Sequence, residues 1–242
     1  MSSKVYGTEA VSEDYLLAVQ RGEIDGAKMI WKFGFHIATS TNIETMWNGG
    51  GLYTYYLGYG VDAKAIDIVS SSAADTVTIG VVGLDADGYE QEEYIVLNGT
   101  TPVTSTLTYS RVYRAWNDNG VDLVGDISIS ETGQPGNVVA VIIAEENQTL
   151  MSIYTIPNGY TGYLIKGTAN IGSGKEATIT FTIRLKDKVF RTQEKLPLYQ
   201  SVLEASRPFN PIPELTDIEV RATATQMGNK VGSTFGIVLI RN

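Results

Sequence analysis

Cysteine is absent from the 242 residues, which removes disulfides, thiolate metal sites and cysteine nucleophiles together and leaves stability to packing or assembly. Histidine occurs once, at His36, so no imidazole pair can hold a metal and a catalytic triad would have to be built around that ring. Its setting, Phe33-Gly34-Phe35-His36-Ile37, is apolar, and a hydrogen-bonded structural histidine is expected there. No stretch approaches the roughly 20 apolar residues of a membrane-crossing helix. Positive charge is short too: 18 Lys and Arg against 27 Asp and Glu leave a net charge of −9, a poor match for phosphate backbones. The expectation is therefore no nucleic-acid partner and no membrane. The N-terminal MSSKVYGTEAVSEDYLLA has acidic residues before any apolar run, which predicts a product retained inside the cell that makes it.

Catalytic signatures are equally sparse. Gly172-Ser173-Gly174 lacks the strand-to-helix context of a nucleophile elbow, and as a phosphate loop it has Ala169 where the first glycine belongs and Glu176 where the hydroxyl belongs. The acidic pairs Glu92-Glu93 and Glu145-Glu146 are chain neighbours, which point to opposite faces of a strand and cannot flank a glycosidic bond. Asp85, Asp87 and Glu90 around Gly88 lack the fuller spacing of a calcium loop and read as a hairpin turn. The expectation is a non-enzymatic protein with no cofactor and no metal.

What the chain has is alternation. Within 160–185, Ile179, Phe181, Ile183 and Leu185 point one way and Thr178, Thr180, Thr182 and Arg184 the other, the period of a strand with one wet face. Gly172-Ser173-Gly174-Lys175 tolerates positive φ, so the segment predicts a β-hairpin. Further strands are expected around Ile66 and Ile68, around Val77, Ile79 and Val81, at 94–97, 104–109, 127–129 and 138–143, then at 150–156, 163–167, 189–192, 218–225 and 234–240. Turns are expected at Asp85-Ala86-Asp87-Gly88, Asn98-Gly99 and Gln134-Pro135-Gly136-Asn137. Short, regularly spaced strands predict an all-β sandwich or jelly roll. The one helix signal is at 12–20, where Ser12 can cap and Gly22 can end it. These readings divide the chain into an irregular N-terminal arm with a short helix (1–48), an N-terminal β-domain (49–145) and a C-terminal β-sandwich domain (146–242).

Tyrosine is in excess, 14 against six phenylalanines, and suits surfaces that stay hydrated until a partner covers them. Four of them, Tyr53, Tyr55, Tyr56 and Tyr59, cluster in the glycine-rich GGGLYTYYLGYG of 49–60. With Trp31, Phe33 and Trp47 from the arm they are the candidate partner-binding residues; the alternative is a loop folded over a sheet edge. The arm either covers its own domain or crosses onto a neighbouring subunit.

Several phrases carry a resemblance. Residues 148–164, QTLMSIYTIPNGYTGYL, run as an apolar strand, a Pro-x-Gly turn and a Tyr-Leu strand, followed by Val189-Phe190-Arg191 and by PELTDIEVRA at 213–222. Shorter phrases are Lys32-Phe33-Gly34, Ile66-Asp67-Ile68-Val69-Ser70-Ser71-Ser72, Gly83-Leu84-Asp85 and Leu97-Asn98-Gly99-Thr100-Thr101. Together they resemble virion structural proteins of tailed bacteriophages, especially aquatic ones. The resemblance implies a virion component made in the cytoplasm of a bacterial host, and transfers no binding residue. Capsid decoration, or cement, proteins resemble this chain in being small, acidic and β-rich. That implies a place on the capsid exterior and the major capsid protein as partner; the alternative is a neck, tail or fibre protein that binds a host receptor or glycan. The tyrosine excess and the absent disulfides separately predict a homotrimer.

Overall fold

Strands form wherever apolar and polar residues alternate. The computed structural model describes residues 11–38, 40–54, 56–172, 175–199, 203–205 and 211–242. In chain order they build helix α1 (Val11–Gln20) and strands β1 (Ala27–Ile37), β2 (Ile43–Thr45), β3 (Ile66–Ser70), β4 (Thr78–Leu84), β5 (Glu90–Val96), β6 (Val103–Thr104), β7 (Arg111–Asn117), β8 (Ile127–Glu131) and β9 (Gln134–Ile142). There follow β10 (Ile153–Thr155), β11 (Tyr160–Ile171), β12 (Glu176–Arg184), β13 (Arg191–Tyr199), β14 (Leu203–Ala205), β15 (Asp217–Ala224) and β16 (Lys230–Arg241). α1 closes at Gly22, whose φ of 72° suits glycine, with the Glu23 amide donating to the Ala18 carbonyl at 2.9 Å.

The strands make four antiparallel sheets, ordered β6-β3-β8-β9, β5-β4-β7, β1-β16-β11-β14 and β10-β15-β12-β13, the last also carrying β2 against β15. The first two enclose one apolar core, with Ile66, Ile68, Ile127 and Ile129 from one sheet and Ile79, Val81 and Ala115 from the other. The second pair encloses another, with Ile171, Val231, Phe235 and Ile237 facing Ile179, Ile218, Val220 and Ala222. The architecture is thus an all-β sandwich. Successive side chains in extended chain point opposite ways, and two such steps join the cores. Ile153 enters the first and Tyr154 the second, while Trp47 enters the first and Met46 the second.

Three expectations are corrected. The segment 27–45 is not an irregular arm, because β1 pairs with β16 over its whole length and β2 pairs with β15. Second, the two strands flanking 172–175 do not form a hairpin. β11 pairs with β16 and β14, and β12 with β13 and β15, so the connection crosses from one sheet of the sandwich to the facing one. Third, the turn expected at 134–137 falls at Thr132-Gly133, where Gly133 has φ 74°, and Pro135, second in the edge strand β9, falls in the irregularity between the Gln134 and Val138 pairings, a position that needs no ladder donor. The turns at Gly88 and Gly99, with φ of 84° and 55°, lie where expected.

β1 is inverted relative to the usual pattern. Lys32, Gly34 and His36 point inward and are buried, while Trp31 and Ile37, 40% and 49% exposed, point outward with the half-buried Phe33 and Phe35. Directly opposite residues share a face, so the outward row lies beside Gly236, Thr234 and Gly232 of β16. The Trp31 ring lies over Gly236, where a Cβ would come within 3.0 Å of it.

Candidate functional site

The glycine and tyrosine loop turns back onto its own chain. Gly50 and Gly51, with φ of 72° and 64°, let it reverse, the Trp47 indole N–H donates to the Gly50 carbonyl at 3.0 Å, and the Tyr53 amide donates to Thr45 Oγ1 at 2.9 Å. Tyr53 then sits in the first core, edge-on to Trp47 and to Tyr56 at 5.0 and 4.9 Å, its hydroxyl donating to the Val139 carbonyl at 3.0 Å. Burial raises the Tyr53 pKa, so the hydroxyl stays a donor. Trp47 and Tyr53 are each 4% exposed, so neither stands on the open docking surface expected of it; Trp47 meets the outside only along one cleft. Their flat area is used within the chain, the sheet-covering alternative. Tyr55 lies outside the described residues.

Tyr56 and Tyr59 wall a cleft of about 530 Å³ whose floor is Asp217. The register places Thr155, Asp217 and Arg184 opposite one another across β10, β15 and β12, and Arg111 reaches the same carboxylate from β7. Arg111 donates from Nε at 2.7 Å and from Nη2 at 3.1 Å, Arg184 from Nε at 2.9 Å and from Nη2 at 2.7 Å, and Thr155 from its hydroxyl at 2.7 Å. The remaining Arg111 nitrogen, Nη1, donates to the carbonyls of Leu57 and Ser110. Burial opposes the Arg111 charge, but the Asp217 carboxylate outweighs it and the guanidinium is held above its ordinary value.

One step along β15, Glu219 accepts from Arg221 Nε at 2.6 Å, from Thr45 Oγ1 at 3.2 Å and from the Tyr56 hydroxyl. Rings and guanidiniums interleave above these carboxylates: Arg111 lies 4.9 Å from the Tyr56 centroid and 4.6 Å from that of Tyr59, and Arg184 lies 4.0 Å from Tyr56 and 4.7 Å from Phe190. Lys186 stands 5.4 Å over Tyr59 at the rim. The Tyr59 hydroxyl is buried with no hydrogen-bond partner among the described residues, and its pKa is pushed up to about 12, by burial first and by Asp217, against the opposing pull of Arg111.

A second cleft, of about 400 Å³, adjoins the outward row of β1. Phe35, Ile37, Trp47 and Ile143 line it with Asn48, whose side-chain nitrogen is buried without a hydrogen-bond partner among the described residues. The predicted residues therefore divide: Trp31 and Phe33 lie on the outer sheet face, Trp47 bounds the second cleft from within, and Tyr56 and Tyr59 bound the first. Sequence reading missed Arg111, Arg184 and Asp217. The signal for the last lies in Asp217-Ile218-Glu219-Val220-Arg221-Ala222, where charged residues occupy every second place of an otherwise apolar strand.

His36 Nε2 lies 2.6 Å from Glu44 Oε2, and the Ser40 hydroxyl donates to the other Glu44 oxygen at 3.3 Å. Serine and histidine thus address different oxygens of Glu44. Among the described residues no three His, Asp or Glu side chains converge as a metal site. The Asp85 carboxylate accepts from the amides of Asp87 and Tyr89 at 2.9 and 2.8 Å, as the side chain of a hairpin turn does.

No family model and no curated protein sequence matches the chain. Solved structures to which it is similar include that of infectious bursal disease virus, Gx strain, at 12% identity over 89% of this chain and 72% of that one, with a TM-score of 0.29. The VP2 subviral particle of infectious bursal disease virus gives 10% identity over 93% and 77%, with a TM-score of 0.22.

Proposed function

We propose that the chain is a non-enzymatic virion structural protein, a capsid decoration protein of a tailed bacteriophage that contacts adjacent major capsid subunits on the shell exterior. The observation that carries the proposal is the inversion of β1, which spends an aromatic row on the outside of the sheet and polar side chains on the inside. Contiguous exposed apolar rows on folded chains mark contact surfaces. The adjoining cleft offers a socket for an inserted side chain, and the unpartnered Asn48 amide offers it a donor. The phrases resembling phage virion proteins supply the kind of partner, and the net charge of −9 favours the side of a shell away from packaged DNA. A homotrimer joining several capsid edges would gain avidity from weak single contacts.

The test is quantitative mass spectrometry of purified particles, with binding of purified chain to particles lacking it. A copy number near that of the major capsid protein, or a large simple fraction of it, is expected. Trp31→Ser with Ile37→Ser should fold and melt like the parent and lose shell binding. A few copies per particle would overturn decoration in favour of a neck, tail or fibre component. Unaltered binding by the double variant would remove β1 from the contact. The trimer is tested separately by light scattering against the 26.3 kDa monomer.

A further inference from the structure

We propose that the Tyr59, Arg184 and Lys186 cleft is a binding site for a carboxylated sugar, a uronic acid unit within an oligosaccharide. The residues lining the cleft carry four cations, Arg111, Arg184, Lys186 and Lys188, against three carboxylates, Asp62, Asp187 and Asp217. Asp217 cannot absorb the excess. Its two oxygens already receive five hydrogen bonds, about what their lone pairs can accept. A lining with one positive charge in excess runs against the net charge of the chain, −9, and a partly enclosed site strengthens its pull on an anion.

Three further features point into the same space. Lys186 and Lys188 stand on the exposed turn at the rim, and neither has an ion-pair partner among the described residues. The buried Tyr59 hydroxyl has no acceptor among the described residues, and a ligand oxygen placed against it would meet that need. The volume, about 530 Å³, falls within the span of small-ligand pockets.

The shape favours a sugar over an acidic peptide. A peptide strand seeks a free sheet edge or a long groove, whereas this site is a concavity closed by the tyrosine loop on one side and the turn at 186–188 on the other. A uronate ring brings one carboxylate for the lysines and Arg184, and a hydroxyl oxygen for Tyr59, within a single compact unit. The site shares no residue with the outward row of β1, so it stands or falls apart from the virion reading.

The experiment is titration of the full chain with a galacturonate dimer, the corresponding neutral galactose dimer and a peptide of four glutamates, followed by calorimetry and amide chemical shifts. The galacturonate dimer should bind, more weakly as salt is raised, and the neutral dimer should not. Tyr59→Phe, which removes only the hydroxyl, and Lys186→Ala with Lys188→Ala, on an exposed turn, should each weaken binding about tenfold, the first melting above the parent because an unmet polar group is gone and the second melting as the parent does. No response to millimolar galacturonate, equal response to the neutral dimer, binding of the glutamate peptide alone, or variants that bind like the parent would each overturn the proposal.

Discussion

Lys32 provides the sharpest test of how the inverted strand is stabilised. Its ammonium is buried on the inner face of β1, donates to the Tyr113 carbonyl and lies 5.6 Å from the Tyr113 ring centroid. Desolvation first and Arg114 second lower its pKa from 10.5 to about 7. Glu90, a carboxylate on the same tyrosine, is bonded instead to the Tyr113 hydroxyl at 2.9 Å and to Lys28 at 3.0 Å. Between the two pKa values the unfolded chain binds a proton that the folded chain does not. Stability therefore rises with pH in that window, by about 1.4 kcal/mol per pH unit. Below pH 7 both states are charged and the whole penalty, on the order of 5 kcal/mol, is present; above 10.5 it has vanished. Lys32→Met keeps the length of the side chain and removes the charge. Its loss of one hydrogen bond costs about 1 kcal/mol at every pH, so the readout is the slope of the difference between variant and parent. In urea unfolding the variant should be the more stable protein at pH 7. Its advantage should shrink by about 3 kcal/mol between pH 7.5 and 9.5, a difference in which all other titrating groups cancel. An advantage that does not change with pH would refute the reasoning, because Lys32 would then be as easily protonated folded as unfolded.

Two other substitutions probe the frame around it. Asp217→Asn leaves Arg111 and Arg184 facing an uncharged amide in a buried site and should lower stability by about 3–5 kcal/mol, read as a fall in urea midpoint; a loss under about 1 kcal/mol would mean that the guanidiniums find other partners. Gly34→Ala places a Cβ against the Met46 carbonyl and within 2.6 Å of the Ser152 amide nitrogen, a backbone clash that should cost at least about 1–3 kcal/mol and speed amide exchange in β1 and β10. A neutral outcome would show that the sheets can separate there without loss.

Local pattern was legible in the sequence and partnership was not. The helix expected at 12–20 is α1, and the alternation at 178–185 is β12. Yet period two says only that a strand has two faces. It does not say which strand lies beside it, and a glycine-rich connection serves a hairpin or a crossing between facing sheets equally well. That is why β11 and β12 were paired by sequence and are separated in the fold. β1 was hidden for a different reason. Its alternation from Trp31 to Ile37 is unbroken, but Met29 and Ile30 ahead of it blur the period, and the positions that turn inward are Lys32 and His36. The tyrosines read as a candidate docking surface, whereas Tyr56 and Tyr59 wall a cleft with Arg111 and Asp217, which are 106 residues apart, and nothing local announces their meeting.

The register of β1 links this hidden strand to the proposed role. Hydrophobicity alone favours a slip of one residue, which would turn Trp31, Phe33 and Phe35 inward and Lys32 and His36 outward. Gly34 prevents the slip. Its place on the inner face is where the Met46 carbonyl and Ser152 approach too closely for any side chain, so a phenylalanine from either neighbouring position cannot enter. The buried pair of His36 and Glu44, at 2.6 Å, closes the same face further along, and pairing with β16 continues through Ile37. Inner contacts thus hold the strand in the register that transfer free energy disfavours, and the row left outside is aromatic. A chain under no demand for an outward apolar surface could remove that row by simple exchange of Trp31 and Ile37 for polar residues, since both are exposed and such exchanges cost little in stability. The proposed shell contact supplies that demand, which ties the decoration reading to the inverted face of β1 and leaves the cleft at Asp217 free for a separate ligand.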